Sequence, residues 1–250
     1  YSETLSTGSD WNATMPGAGI GGITSLGNIT LTSAGGIAIN GIVNAGGNKL
    51  KLAGAGIVSQ MAPITAAGLE LLGTGATYNL TNAGNAITTL AGNTGTVNFT
   101  NGTGIGIGTV NTAGLATSGD LTLNSGGAIT QTAPLQVGGA ATFDAGATND
   151  ITLTNAGNNF SSVGITSGKN VSLTDTDALA LNASTVSNTL SATAGGDITL
   201  NGLVNAGTGN VALKSGGAII NGMGGALSIS AGALSAEAVN GIGSGDPLMT

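Results

Sequence analysis

The residues best suited to bind a metal ion are those of Asp175-Thr176-Asp177, which places two carboxylates two residues apart. In an extended strand, residues i and i+2 point to the same face, so both carboxylates would face the same way. Such a pair could bind Ca²⁺ weakly with help from carbonyl oxygens. A solvated Asp pair in a turn is the competing interpretation, and we favour it. We therefore predict no metal site, with Asp175 and Asp177 as the one weak Ca²⁺ candidate.

Cleavage of polysaccharides is the second chemistry that acidic side chains could support. Such enzymes need a carboxylate pair at a defined separation or a basic residue that takes a proton. The chain has no Arg and no His, and its four cations are Lys49, Lys51, Lys169 and Lys214. We therefore predict no catalytic residue and no cofactor, and keep a carbohydrate-active β-helix enzyme as an alternative function.

Three further patterns match known binding sites only in part. Gly-x-Gly runs at residues 102–108 imitate nucleotide-binding loops, but no helical pattern follows them. Residues 243–246 are a single partial copy of the Ca²⁺-binding nonapeptide repeat. Thr-x-Thr at residues 30–32 suggests an ice-binding ladder, which would need the same element on most coils. None of these patterns predicts a site.

A repeated sequence pattern predicts the strands and turns that hold these residues. GNITLTSAGGIAING at 27–41, GDLTLNSGGAITQ at 119–131 and GNVALKSGGAIING at 209–222 share one order of turn, alternating strand and Gly-Gly corner. A second phrase, GIVNAGGN at 41–48, returns as GLVNAGTGN at 202–210. Such repetition is typical of stacked coils, and spacings of roughly 20 to 27 residues fit one solenoid turn.

Each coil is predicted to contain short strands joined at corners. Apolar residues such as Ile29 and Leu31 alternate with Thr, the period expected of a strand with one buried face. At the Gly-Gly pairs the backbone needs a positive φ, or neighbouring coils approach too closely for a side chain. These corner residues are Gly35, Gly36, Gly126, Gly127, Gly216 and Gly217. Turn Asn residues are predicted to bond backbone groups and neighbouring Asn side chains. They are Asn44, Asn82, Asn155 and Asn205.

Composition points to the same fold class. The chain has 47 Gly in 250 residues and only 2% aromatic residues, yet 40% of its residues are hydrophobic. A narrow solenoid needs only a thin column of aliphatic side chains, whereas disordered chains are poor in apolar residues and rich in charge. The sequence therefore predicts an all-β protein, a parallel β-helix (β-solenoid) of about ten to eleven coils.

The [DN]-h-T-L strands, where h is apolar, the S-G-G-A-I corners and the V-N-A-G turns resemble the repeat regions of filamentous-haemagglutinin-type bacterial surface exoproteins. The resemblance covers residues 27 to about 243 and implies a right-handed parallel β-helix that is secreted and adhesive. The Asn-Pro-Asn motifs of that family's secretion domain do not occur in this sequence. The resemblance therefore implies no export route.

The two ends of the chain differ from the repeats. Residues 1–26 contain the only Trp, Trp11, and are predicted to be an N-terminal cap or a strand that docks on a neighbouring molecule. Trp11 is the candidate assembly residue. Residues 27–243 are predicted to be solenoid repeats and residues 244–250 a terminal extension. The chain opens on Tyr1 without a signal-peptide pattern, so we expect a processed protein or a piece of a longer one.

Charge narrows the possible partners. The net charge is -7, and nucleic acids and anionic membrane surfaces both require clustered cations. No apolar run reaches the ~18 residues that span a bilayer, so we expect neither nucleic-acid binding nor membrane insertion. Together with the resemblance, this predicts an extracellular protein of the bacterial cell surface.

The expected function is a non-enzymatic structural or adhesive one, as a segment or subunit of a surface fibre. In that role its partners are surface receptors, polysaccharide or other copies of the chain. The alternative is a filament subunit that assembles end to end as a homopolymer, through exposed coil edges and residues 1–26.

Overall fold

The computed structural model describes residues 11–15, 19–243 and 246–250, and for residues 11–15 it describes the backbone alone. The chain divides into two compact units, Tyr1–Gly126 and Gly127–Thr250. All regular elements in the described ranges are strands. Accordingly, no helix there is long and apolar enough to cross a membrane.

The first unit is a stack of parallel strands with a regular step. Ile29 pairs with Leu50 and Val43 pairs with Ile64, a step of 21 residues at both places. The strands of this unit are β1 (Trp11–Met15), β2 (Gly19–Ile20), β3 (Ile23–Thr24), β4 (Ile29–Ser33), β5 (Ile37–Ile39), β6 (Val43–Gly54), β7 (Ile57–Gln60), β8 (Ile64–Leu80), β9 (Ala86–Asn101), β10 (Ile105–Ile107), β11 (Leu115–Thr117) and β12 (Leu121–Ser125).

The second unit is built in the same way. Its strands also pair in parallel, for example Leu190 with Val211 and Leu179 with Ile198. The strands are β13 (Ile129–Gln131), β14 (Leu135–Asp144), β15 (Ile151–Leu153), β16 (Asn159–Asp175), β17 (Leu179–Ala194), β18 (Ile198–Leu200), β19 (Val204–Asn205), β20 (Asn210–Ser215), β21 (Ile219–Asn221), β22 (Ile229–Ser230) and β23 (Ala233–Ala238). The predicted fold class is confirmed: the chain is an all-β parallel β-solenoid of about 10 turns.

The core of each unit is a narrow column of aliphatic side chains. In the first unit the register stacks Ile29, Leu50 and Leu69, and all three are fully buried. The four aromatic side chains that the structure describes, Tyr78, Phe99, Phe143 and Phe160, are all buried. In the second unit, the rings of Phe143 and Phe160 meet edge to face with centroids 6.4 Å apart. A thin column filled mainly by Val, Ile and Leu explains how 2% aromatic residues suffice.

Close approach between coils explains the Gly-Gly corners. A Cβ on Gly36, Gly126 or Gly216 would overlap a carbonyl oxygen of the neighbouring coil, and none of the three has a positive φ. Positive φ occurs instead in the Asn-Ala-Gly turns, at Gly46 (54°) and Gly207 (56°). Of the two reasons predicted for the corners, close approach therefore applies at these three positions.

The other predicted corner glycines have different surroundings. A Cβ on Gly217 would overlap a carboxylate oxygen of Asp197. Gly35 donates its N–H to the Ser33 hydroxyl at 3.1 Å. Gly127 is half-buried. Both members of the 216–217 pair thus lie against the adjoining coil, whereas in the 35–36 pair only Gly36 does.

Backbone hydrogen bonds to the coils reach into both predicted end segments. Within residues 1–26, β1 pairs in parallel with β4, and β2 and β3 pair with β5 and β6. Within residues 244–250, the carbonyl oxygen of Met249 accepts the N–H of Ile229 at 3.1 Å. Residues 1–10 and 16–18 and the side chain of Trp11 lie outside the described part, so the cap and the docking role stay predictions.

Candidate functional site

The two carboxylates of the weak Ca²⁺ candidate do not share a surface. Asp175 ends β16 and is 2% exposed, whereas Asp177 lies beyond the strand and is exposed. The Asp175 carboxylate accepts the N–H of Phe160 at 3.3 Å and the N–H of Asp177 at 3.5 Å. Its oxygens thus face backbone donors of its own unit. Across the described ranges, no cluster of three or more His, Cys, Asp or Glu side chains could hold a metal.

Burial gives the Asp175 carboxyl an unusually high pKa. Loss of solvation raises the pKa of its carboxyl to about 6, and the neighbouring Asp177 carboxylate also raises it, against the backbone hydrogen bonds that lower it. Asn101 has the corresponding place in the first unit, because it is also buried and accepts the N–H of Ile87 at 2.9 Å. The Asn101 amide donates to the carbonyl oxygens of Ile87 and Thr103, which an ionised carboxylate cannot do.

Two reciprocal amide pairs hold the interior corners. In the first unit, Gln60 and Asn85 exchange two hydrogen bonds of 2.8 Å, and Asn85 also accepts the N–H of Ile64 at 2.9 Å. Asn85 is 1% exposed. Since a buried polar group is costly unless it is bonded, this corner depends on both partners. Every buried side-chain N or O atom of the described residues has a hydrogen-bond partner.

The second unit repeats this arrangement. Gln131 and Asn158 exchange two hydrogen bonds of 2.8 Å, and Asn158 accepts the N–H of Leu135 at 2.9 Å. Its amide also donates to the carbonyl oxygens of Leu153 and Thr174. Sequence reasoning missed both pairs. The signal was present, because Gln-x-Ala-Pro at 60–63 and 131–134 and Asn-Ala-Gly-Asn at 82–85 and 155–158 each occur twice.

The predicted turn Asn residues share one local hydrogen bond. Each side-chain oxygen accepts the N–H of the Gly two residues later, at distances from 2.8 to 3.0 Å. These residues are Asn44, Asn82, Asn155 and Asn205. The bond to the backbone two residues on is the Asx turn, so these side chains shape the surface of a corner.

An excursion between β10 and β11, residues 108–114, folds back over the first unit. We call it the strap. Lys49 donates to the Val110 carbonyl oxygen at 2.8 Å and to Asn111 Oδ1 at 3.0 Å. Glu70 accepts Asn111 Nδ2 at 2.9 Å, and both the N–H and the hydroxyl of Thr112 at 2.8 Å. The strap is therefore fastened by one cation and one carboxylate from neighbouring strands.

The Glu70 side chain is buried, and both of its carboxylate oxygens accept hydrogen bonds. Burial raises the pKa of its carboxyl, but hydrogen bonds from Asn111 and Thr112, with help from the Lys51 charge, lower it below the ordinary value overall. Glu70 is therefore ionised in the folded chain at neutral pH. Beside it, the strap and β6 enclose part of a cavity of about 220 Å³. The cavity is lined by Gly47, Lys49, Ala67, Gly68, Thr89, Thr109 and Val110.

The last coil of the second unit leaves its interior column uncovered. β23 pairs with β20, which places Leu234 beside Val211 in register. Val211 is 1% exposed, whereas Leu234 is 37% exposed. Ile242, which bridges to Ile219, is 48% exposed, and Val239 is 76% exposed. This coil therefore has the side chains of an interior coil without a further coil of the described chain upon it.

The comparisons with known proteins agree with the repeats and assign no activity. A family described as repeats of unknown function (DUF5649) matches residues 91–167 and 168–221, together more than half of the chain. No curated protein and no solved structure matches the chain. What the chain shares with other proteins is thus a coil repeat.

Proposed function

The chain belongs to the family described as repeats of unknown function (DUF5649), and from this premise we propose a non-enzymatic structural and adhesive role at the bacterial cell surface. In this proposal the chain is a segment or subunit of an extracellular fibre, similar to the filamentous-haemagglutinin repeats that its motifs resemble. The observation that carries it is the uncovered last coil. An open strand edge with apolar side chains is a surface on which another coil can stack.

The described surface favours contacts through neutral groups. Only 6% of residues are charged, and outward positions of the strands carry Thr, Ser and Asn. Hydroxyl and amide groups can both donate and accept hydrogen bonds, so repeated rows of them suit many weak contacts with receptors or polysaccharide. The two most strongly held acids, Asp175 and Glu70, are buried and bonded to groups of their own unit. This favours a role in binding surfaces over a role in catalysis.

Assembly through the last coil is the first testable consequence. We expect the purified chain to form larger particles as its concentration rises, and a Leu234→Asp variant to lose them, because the new charge lies on the open edge. Negative-stain electron microscopy and sedimentation velocity at several concentrations measure this. Ile57→Asp is the matched control, because Ile57 is 62% exposed but its strand pairs with β5 and β8 on its two sides.

The two variants separate edge assembly from general stickiness. Assembly that survives in Leu234→Asp, or that is lost equally in Ile57→Asp, contradicts the role of the last coil. A chain that stays monomeric at every concentration contradicts the subunit form of the proposal and leaves the segment form, in which further coils of a longer protein cover the edge.

The end-to-end alternative names a partner for that edge. In it, β23 of one copy pairs with residues 1–26 of the next, a segment that contains β1. We expect a chain without residues 1–26 to remain rich in β-structure by circular dichroism and to stay monomeric. Filaments formed by this shortened chain rule the alternative out.

A further inference from the structure

The strap brings together two side chains that can be joined by a covalent bond and a third that can transfer a proton between them. Lys49 Nζ lies 3.0 Å from Asn111 Oδ1, and Glu70 Oε2 lies 2.9 Å from Asn111 Nδ2. An amine, a carboxamide and a carboxylate thus share one site although they are far apart in the sequence. We propose that Lys49 and Asn111 join through an intramolecular isopeptide bond, with Glu70 as the proton-transfer group.

The register of the strands brings Lys49 and Glu70 close to each other. Lys49 pairs with Gly68, and Lys51 pairs with Glu70, so Lys49 and Glu70 lie on adjacent strands of neighbouring coils. The strap then brings Asn111 over both. Val110 is 6% exposed and packs on Gly68, where a Cβ would come within 3.1 Å of both Val110 methyl groups. The Gly at position 68 therefore lets the strap lie close to the strand that carries Glu70.

The reaction balances without any co-reactant. The neutral Lys49 amine attacks Cγ of Asn111, and the carbonyl electron pair moves to Oδ1. Glu70 takes up the proton that the attacking nitrogen releases and passes a proton to Nδ2, so its own state is restored. The Cγ–Nδ2 bond breaks, ammonia leaves, and the carbonyl group re-forms as the Nζ–Cγ amide. One amine and one carboxamide thus give one amide and one molecule of ammonia.

The geometry prepares this step in two ways. Glu70 is held by three hydrogen bonds from the strap, so its carboxylate is fixed against the nitrogen that must leave. Asn111 Oδ1 is turned toward Lys49 by the same contacts, which replaces a bimolecular encounter by an oriented one. Lys49 and Asn111 lie at the surface, and only a neutral amine can attack a carbonyl carbon. The reaction should therefore be slow at neutral pH and faster as the pH rises.

A covalent bond here would have a clear structural effect. It would join Lys49 and Asn111, which are 62 positions apart, and fix the strap to the coils beneath it. The chain has no Cys, so no disulfide can do the same. Closing a long segment restricts the unfolded chain, which raises the temperature of unfolding.

Intact-mass spectrometry of the full chain tests the proposal. We expect a species lighter by about 17 Da, the mass of ammonia, which accumulates during incubation at about pH 9. Trypsin cuts after unmodified Lys, so it should still cut after Lys51 and yet leave residues 1–51 joined to residues 52–169. The joined fragment locates the bond, because the mass loss alone does not.

Three variants identify the residues. Lys49→Arg keeps a cation at the strap but has no amine to attack, so it should fold with an unchanged circular dichroism spectrum and show no mass loss. Glu70→Gln should slow the mass loss at least tenfold. Lys214→Met is the control, because Lys214 forms an exposed ion pair with Glu237, away from the strap contacts; it should react like the unaltered chain.

Two results would overturn the proposal. One is an intact mass that equals the sequence mass and stays unchanged after long incubation at about pH 9. The other is a change of mass at Asn111 without a joined tryptic fragment, which is the mark of simple deamidation.

Discussion

Replacing Asn158 by Ala should lower the free energy of unfolding by about 3–5 kcal/mol, one of the largest effects of any single change in this chain. Asn158 is fully buried and bonds five groups, among them both polar atoms of the Gln131 side chain. The substitution would leave the Leu135 N–H without its side-chain acceptor and would remove two of the four hydrogen bonds of the Gln131 amide at an interior corner. Urea unfolding followed by circular dichroism measures the loss as a shift of the midpoint.

Asn155→Ala is the matched control for this prediction. Asn155 lies three residues earlier in the same turn, is half-exposed, and its side chain accepts one hydrogen bond, from Gly157. We expect a cost of about 0.5–1 kcal/mol. Equal costs for the two variants would contradict the view that the buried amide, rather than the turn, fixes this corner.

Raising the pH should destabilise the second unit through Asp175. Because burial raises the pKa of this carboxyl to about 6 in the folded chain, the folded state binds its proton more tightly than the unfolded state does. Protonation therefore stabilises the fold. The contribution is complete below about pH 4 and is lost as the pH rises through the folded-state pKa. At pH 8 we expect the ionised carboxylate to cost about 1–2 kcal/mol.

Asp175→Asn supplies the decisive comparison. It places in the second unit the residue that Asn101 provides in the first, so stability at pH 8 should rise and its decline between about pH 4 and pH 7 should largely disappear. Urea midpoints at a series of pH values measure this. Asp177→Asn is the control, because Asp177 is exposed and should keep most of the decline. A decline that persists unchanged in Asp175→Asn assigns it to another group.

Glu70 has the opposite dependence on pH. Hydrogen bonds from the strap outweigh burial and lower the pKa of its carboxyl, so its contribution is present at neutral pH and is lost as the pH falls through that lowered pKa. The Asp175 contribution is lost as the pH rises instead, so the two carboxyls have opposite effects on stability.

The coil architecture was predictable because it depends on local patterns. Alternation at Ile29 and Leu31 predicts an inward-facing pair, and both side chains are fully buried. The Gly-Gly phrase marks corners because close coils exclude a Cβ, a constraint that every copy of a corner repeats. Turn Asn residues such as Asn44 bond the backbone two residues on, which needs no knowledge of the rest of the chain.

The contacts that the sequence did not reveal join residues on different coils. Asn82 and Asn85 are both Asn in a turn phrase, yet the first is only half-buried and the second is buried against Gln60, 25 residues away. The Lys49–Asn111 contact joins residues 62 positions apart and exists only because the strap folds back. The repeat spacing predicts where a residue lies along its coil. It does not predict which side chains of an inserted loop, such as the strap, fold over that residue.

The Gln–Asn pairs have a consequence for how such a chain can grow. Repeat genes lengthen by copying segments, and each pair joins residues from successive coils. A copy of the Asn-bearing coil alone would add a buried amide without its Gln. A copied segment that carries both partners keeps every amide satisfied, and the recurrence of both phrases in the two units fits this longer segment. Selection would thus act on lengths of several coils, and single-coil gains or losses would be removed wherever a pair is split.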